Sequence, residues 1–163
     1  MKSKKIQMYT DMIRSVGLKA TPQRISVLKV LSEMTSHPSA DMLMEAIENQ
    51  GYVMSVGTIY NILETFSEKG LILKLKDNQE VMRFDANTQF HVHIYNKENN
   101  GICDYFDPEL EILLSDYFKN KLPDDVSLNR MEVSLFAWSL LRNLLLYKNK
   151  LLIEKSDTLV SGF

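Results

Sequence analysis

The chain has three histidines, His37, His91 and His93. Two of them are a single residue apart. In an extended segment, side chains two apart share one face at roughly 6.6 Å, so His91 and His93 can point at one metal ion. The stretch over 85–104 that holds them also carries Asp85 and Asp104. Imidazole nitrogens and carboxylate oxygens are metal donors, and a His-x-His pair beside acids has moderate specificity for a metal site. His37 lies far upstream, and a lone histidine is more often a satisfied structural residue than a ligand. If His37, Asp85, His91, His93 and Asp104 did meet, three imidazoles and two carboxylates would make a five-donor site. Such a site suits Fe2+ or Mn2+ better than a thiolate-rich structural Zn2+ site does.

The remaining chemistry is sparse. Cys103 is the single cysteine, which excludes an internal disulfide framework and the Cys-x-x-Cys pairs of structural zinc. The basic N-terminus lacks the apolar core of a signal peptide. The most apolar stretch, 140–153, is interrupted by Arg142, Asn143, Lys148, Asn149 and Lys150, so no membrane span is expected. A cytoplasmic location fits. A net charge of −2 argues only weakly against nucleic acid, because residues 1–29 hold seven basic groups against Asp11 alone. That local excess is also what a solvated basic tail and helix face would show.

The elements that must position these groups begin with helices. Tyr9, Met12, Ile13 and Val16 recur with helical spacing and Gly17 follows at the C′ place. Thr21-Pro22 opens a second helix with Ile25, Leu28, Leu31 and Met34 inward. It ends before Ser36-His37-Pro38. Ser39 caps a third helix with Leu43, Ala46 and Ile47 inward and Gly51 as its stop. Ser55 caps a fourth, whose expected buried face is Val56, Ile59, Leu63 and Phe66. Residues 71–76 and 80–85 read as a β-hairpin turning at Asp77-Asn78-Gln79. This is the order of a winged helix-turn-helix, with Thr58, Tyr60 and Asn61 offered to base edges and Lys74, Lys76 and Arg83 to phosphates. DNA is the favoured reading, and the same polar residues could instead cover the solvent face of a four-helix domain.

Beyond Asp85 the composition changes. Residues 90–95 and 101–106 read as strands, Pro108 opens a helix with Leu110, Leu113, Leu114 and Tyr117 on its apolar face, and 126–136 alternates as a last strand. The fold class is α+β: a winged helix-turn-helix domain over 1–86, a small α/β dimerisation and metal-binding domain over 87–137, and an extension over 138–163. About 50 residues make a small independent core, so pairing with a second copy is expected. The extension is leucine-rich with a helical repeat at Leu141, Leu144 and Leu145, and 154–163 reads as a loose end.

Five blocks carry a resemblance: Gly17-Leu-Lys-Ala-Thr-Pro-Gln-Arg24, His37-Pro-Ser-Ala-Asp41, Ser55-Val-Gly-Thr-Ile-Tyr-Asn61, Arg83-Phe-Asp85 and His91-Val-His93. In this order the chain resembles the ferric uptake regulator family over roughly residues 10–136. The resemblance implies a dimeric winged-helix repressor that binds an inverted-repeat DNA operator when a regulatory metal bridges head and dimerisation domain. It places that metal, Fe2+ or Mn2+ with Zn2+ able to substitute in vitro, on His37, Asp85, His91, His93 and Asp104. Aspartates at 85 and 104, and Asn61 after the tyrosine, resemble the peroxide-sensing branch. In that branch, oxidation of a ligand histidine, here His37 or His91, would release the metal. Lys19 matches a lysine that approaches the minor groove and Tyr60 one that contacts bases. The full DNA-contacting set is expected to be Lys19, Arg24, Ser55, Thr58, Tyr60 and Asn61. One departure is large: the family's structural zinc cysteines would fall at Asn96 and Asn99 and near the end of the last strand, and none is present. No structural Zn2+ is expected, and apolar packing should hold the dimer. Two other readings stay open, a non-haem iron enzyme built on two histidines and a carboxylate, and a haem or redox binder using Cys103.

Overall fold

The computed structural model describes residues 2–123 and 125–138. The leucine repeat expected at Leu141, Leu144 and Leu145 and the loose end over 154–163 lie outside the described residues. The N-terminal half is a helical head: α1 (Lys2–Ser15), α2 (Pro22–Glu33), α3 (Ala40–Asn49) and α4 (Val56–Glu68). Local chemistry sets the ends. Thr21, Ser39 and Ser55 accept from the backbone N–H groups of Arg24, Met42 and Thr58 at 3.3, 3.3 and 3.2 Å, which satisfies one orphan donor of each helix. After α1 the chain reverses at Gly17, whose φ of +77° brings the Leu18 N–H to the Ile13 carbonyl at 3.2 Å.

One apolar core holds the head. Ile13, Val27, Leu28, Leu31, Leu43, Ile47, Ile59, Leu63 and Phe66 are fully enclosed, with Ile72 and Phe84 added from the hairpin. The fourth helix departs from expectation at its first turn, because Val56 is 49% exposed and Ile62 is buried instead. Positions 59, 62, 63 and 66 form one stripe at helical spacing, while residue 56 sits at the helix end, beyond the core.

The hairpin is β1 (Leu73–Lys76) and β2 (Met82–Asp85), antiparallel with Leu73 opposite Asp85. A second sheet has the order β4-β3-β5, built from β3 (Val92–Asn96), β4 (Ile102–Tyr105) and β5 (Val133–Ala137), with α5 (Pro108–Lys119) between the last two. β3 runs antiparallel to β4 and parallel to β5, and every residue of this central strand is buried. The last strand is shorter than the alternation over 126–136 suggests. Its register, Val92 opposite Val133 through Asn96 opposite Ala137, uses the whole of β3, so residues 126–132 lie outside that ladder.

The C-terminal elements are thinly covered within one chain. No residue of α5 is buried. Of its expected inward face, Leu113 is 65% exposed and Tyr117 is also exposed, while Leu110 and Leu114 are half-buried. Phe136 of β5 is exposed as well. Among the described residues no helix is long and apolar enough to cross a membrane.

Candidate metal centre

Four pieces of chain bring the histidines and aspartates together. His37 lies in the loop between α2 and α3, and that loop is tied to the hairpin by the Phe84 N–H donating to the Pro38 carbonyl at 3.0 Å. Asp85, the next residue after Phe84, ends β2. His91 directly precedes β3, and His93 within β3 is the register partner of Asp104 on β4. One donor atom from each of the five residues lies within 4.8 Å of all the others. Four of the five residues are buried, and Asp104 is partly so.

The contacts are those of atoms aimed at a shared centre. His37 Nε2 stands 2.9 Å from Asp104 Oδ1 and 3.8 Å from Asp85 Oδ2. His91 Nε2 is 3.1 Å from Asp85 Oδ2 and 3.4 Å from Asp104 Oδ1. The His91 and His93 Nε2 atoms approach to 2.8 Å. Despite this proximity, His37 Nε2, Asp85 Oδ2 and Asp104 Oδ1 are buried with no partner in hydrogen-bond alignment. Buried polar atoms left unpaired are costly, and three on one centre, in an N3O2 donor set, fit a divalent cation.

Two of the atoms turned away from the centre are occupied. Asp85 Oδ1 accepts from the Asn87 N–H at 2.7 Å, leaving Oδ2 for the cluster. His91 Nδ1 lies 2.8 Å from the Gln89 carbonyl. That partner assigns the proton to Nδ1 and a lone pair to Nε2, the outer-shell arrangement of metal-binding imidazoles. Asn87 Oδ1 accepts from the Gln89 N–H at 3.1 Å, which fixes the carbonyl itself. Asn87 and Gln89 escape a motif reading; the only sequence signal is an Asx residue two places after Asp85.

Charge and burial oppose one another here. Burial disfavours a charged His37 imidazolium, but the hydrogen-bonding contact and charge of Asp104, the charge of Asp85 and the Ile102 carbonyl outweigh it, so its pKa stands above the ordinary value. Burial likewise disfavours the Asp104 carboxylate, yet contact with His37 and the charges of His37, His91 and His93 hold its pKa below the usual carboxylate range. His37 also has a φ of +47°, an uncommon conformation for a non-glycine residue that concentrates at functional positions. A cavity of about 660 Å3 reaches the cluster from the sheet side, lined in part by His91, His93, Phe106 and Glu111.

The family match comes from sequence. The profile of the ferric uptake regulator family matches residues 15–133. The chain belongs to the ferric uptake regulator family. Among relatives of this family member, the peroxide-responsive repressor PerR of Staphylococcus epidermidis is 34% identical over 122 residues, covering 74% of this chain and 80% of the relative. In fold, the chain resembles the ferric uptake regulator of Pseudomonas aeruginosa with manganese (TM-score 0.70, 22% identity, 80% of this chain and 97% of that one). It also resembles the Campylobacter jejuni peroxide stress regulator (TM-score 0.62, 24% identity, 82% and 95%).

The residues expected at DNA fall in two places. Lys19, Arg24, Thr58 and Asn61 line one cleft between the turn before α2 and the flank of α4. Tyr60 lies outside that cleft and is 50% exposed on α4. Ser55 is the cap of α4, its hydroxyl bound to the Thr58 hydroxyl at 2.8 Å. The Arg24 guanidinium donates to the Lys19 carbonyl at 3.0 Å, bracing the turn. The hairpin cations expected at phosphates all have carboxylate partners. Lys74 pairs with Glu64 at 2.5 Å, Lys76 with Glu80 at 2.6 Å, and Arg83 with the buried Asp77 at 2.8 Å. Lys74 and Lys76 can exchange such surface partners cheaply; Arg83, bound through both Nε and Nη2, is committed to the hairpin turn.

Proposed function

We infer that this member of the ferric uptake regulator family is a metal-dependent, DNA-binding transcriptional repressor of iron- or peroxide-response genes, with His37, Asp85, His91, His93 and Asp104 as its regulatory metal ligands. The observation that carries the reading is the convergence of those five donors, three of their atoms buried and unpaired. His37 comes from the helical head, and His91, His93 and Asp104 from the three-stranded sheet. An ion held by both sides favours one orientation of the head, and by linkage whatever favours that orientation also tightens ion binding.

The chain's own groups divide the work. His37, His91 and His93 would supply neutral imidazoles through Nε2, so ion binding would displace the proton that His37 shares with Asp104. Asp85 and Asp104 balance the charge of a divalent cation. Gln89 and Asn87 hold His91 in the tautomer that presents Nε2. Donors of this type suit Fe2+ or Mn2+, with Zn2+ able to occupy the site in vitro. When bound, Fe2+ supplies reactivity toward peroxide beside His37 and His91, whereas Mn2+ supplies only the orienting contact.

At the other end of the head, α4 would enter the major groove of an inverted-repeat operator. Thr58, Tyr60 and Asn61 would face base edges, with Lys19 and Arg24 near the backbone. Ser55 would act through the cap. The exposed apolar side chains of α5 and β5 support a homodimer, a second copy covering Leu113, Tyr117 and Phe136. Operator binding under anaerobic conditions with Fe2+ or Mn2+, followed by peroxide, tests the reading. Both ions should tighten binding and peroxide should reverse it in the iron sample alone. Binding indifferent to either metal would rule it out.

The rival chemistries fit the donors less well. A facial triad uses three protein ligands and leaves three positions for substrates, whereas five protein donors converge here. Haem carries its own four equatorial nitrogens and takes one or two axial protein ligands, and Cys103 Sγ is turned to the Ile94 carbonyl at 3.7 Å.

A further inference from the structure

A second contact, separate from the metal cluster, joins the head to the three-stranded sheet. At the tip of the hairpin, Asn78 Nδ2 donates to the Asn96 carbonyl at 3.0 Å. Behind it, Leu75 of β1 is buried together with Tyr95 of β3 and Ile102 of β4, an apolar cluster of its own beside the head's core.

Both sides of this contact are stiff. On the hairpin side, Asp77 Oδ1 accepts from the Gln79 and Val81 N–H groups at 2.8 and 3.0 Å while Oδ2 holds Arg83. On the sheet side, the turn after β3 is closed by the Asn96 N–H donating to the Gly101 carbonyl at 2.8 Å. Asn96 Oδ1 accepts from the Glu98 N–H at 2.7 Å, and Asn99 Oδ1 from the Gly101 N–H at 2.9 Å. The Lys97 N–H donates to the Ala137 carbonyl at 3.0 Å, tying the turn to β5. The Asn96 carbonyl is therefore a fixed acceptor presented to a donor carried on an ordered turn. Partners already ordered lose little conformational freedom on meeting, so more of the contact's free energy remains to hold them together.

We propose that the Asn78–Asn96 bond and the Leu75, Tyr95 and Ile102 cluster form a latch that, before metal binds, keeps a share of the molecules in the orientation that brings His37 to His91 and His93. The inference rests on the reading that head orientation governs operator binding. Metal then completes an arrangement the chain already populates. A chain without the latch must draw closure from the ion, and its apparent metal affinity falls with the fraction of closed molecules.

The test measures the head-to-sheet distance directly, so it does not depend on DNA. Spin labels are placed at Glu48→Cys on α3 and Glu109→Cys on α5 in a Cys103→Ser background. Labelled chain is diluted with unlabelled chain so that pairs within one chain dominate, and Zn2+ is the ion because it is diamagnetic. The metal-stripped parent should give a closed distance beside a broad open population, and Zn2+ should draw the open molecules into the closed distance. Asn78→Ala, a change at an exposed turn residue, should raise the open-to-closed ratio about fivefold, the factor one net hydrogen bond is worth. Zn2+ should restore the closed distance, and Leu75→Ala should open the chain further. A metal-stripped parent as broad as its variants, or variants as narrow as the parent, would overturn the latch. Operator binding of the same parent with Mn2+ is the separate check: failure there removes the functional reading and leaves the distance result standing.

Discussion

At the scale of single residues, the cluster divides into side chains whose donor atoms converge and side chains that hold them there. His91 and His93 were legible as a pair because strand periodicity alone puts them on one face. His37 was not, since its approach depends on a loop with a positive φ that is fastened to β2, and nothing in local spacing encodes that closure; the family blocks supplied it. Asn87 is a test of the supporting layer. Replacing it with alanine leaves all five donors in place but frees the Gln89 carbonyl that orients His91. Loss of an outer-shell partner typically weakens metal binding 10- to 100-fold, so Mn2+ affinity of Asn87→Ala measured by calorimetry should fall by about tenfold or more. An unchanged affinity would mean that Gln89 is held by other means.

The elements are legible in the sequence where their signals are local. Serine and threonine caps, Gly17 and the hairpin turn all act over four residues or fewer, so the sequence contains the whole interaction. Ser55→Ala should accordingly lower thermal stability by about 1 kcal/mol through loss of the α4 cap, with operator affinity falling only as far as the helix start frays. The hairpin shows the limit of such reading. The place of Arg83 on the hairpin suits a phosphate contact, but the turn geometry folds Asp77 back against its guanidinium. Asp77→Ala should cost about 1–3 kcal/mol, because it leaves the Gln79 and Val81 N–H groups and a guanidinium without their acceptor. Burial alone would raise the Asp77 pKa, but Arg83 and those two N–H groups hold it below the ordinary carboxylate value. A lowered folded-state pKa means a contribution present above the unfolded value and lost as pH falls through the folded one. Acid unfolding curves of Asp77→Asn should therefore be flatter below about pH 4 than those of the parent. Identical acid slopes would contradict the assignment.

At the scale of the whole molecule, the apolar faces of α5 and β5 mark what a single chain leaves unfinished. The helical spacing of Leu110, Leu113, Leu114 and Tyr117 was correct as a pattern, but pattern says only that a face will be covered, not that the cover lies in the same chain. A dimer sealed by that face needs no zinc, so sedimentation in excess chelator should still show two copies, and dissociation to monomers would point to a metal-held interface instead. The central claim is that one cluster, shared by head and sheet, couples metal to DNA. Coupling between two sites is commonly worth about 5- to 150-fold in affinity. The most direct measurement is operator affinity with and without Mn2+ for the parent and for His37→Ala. The parent should tighten within that range and His37→Ala should not respond to Mn2+; tightening of His37→Ala equal to the parent's would contradict the account.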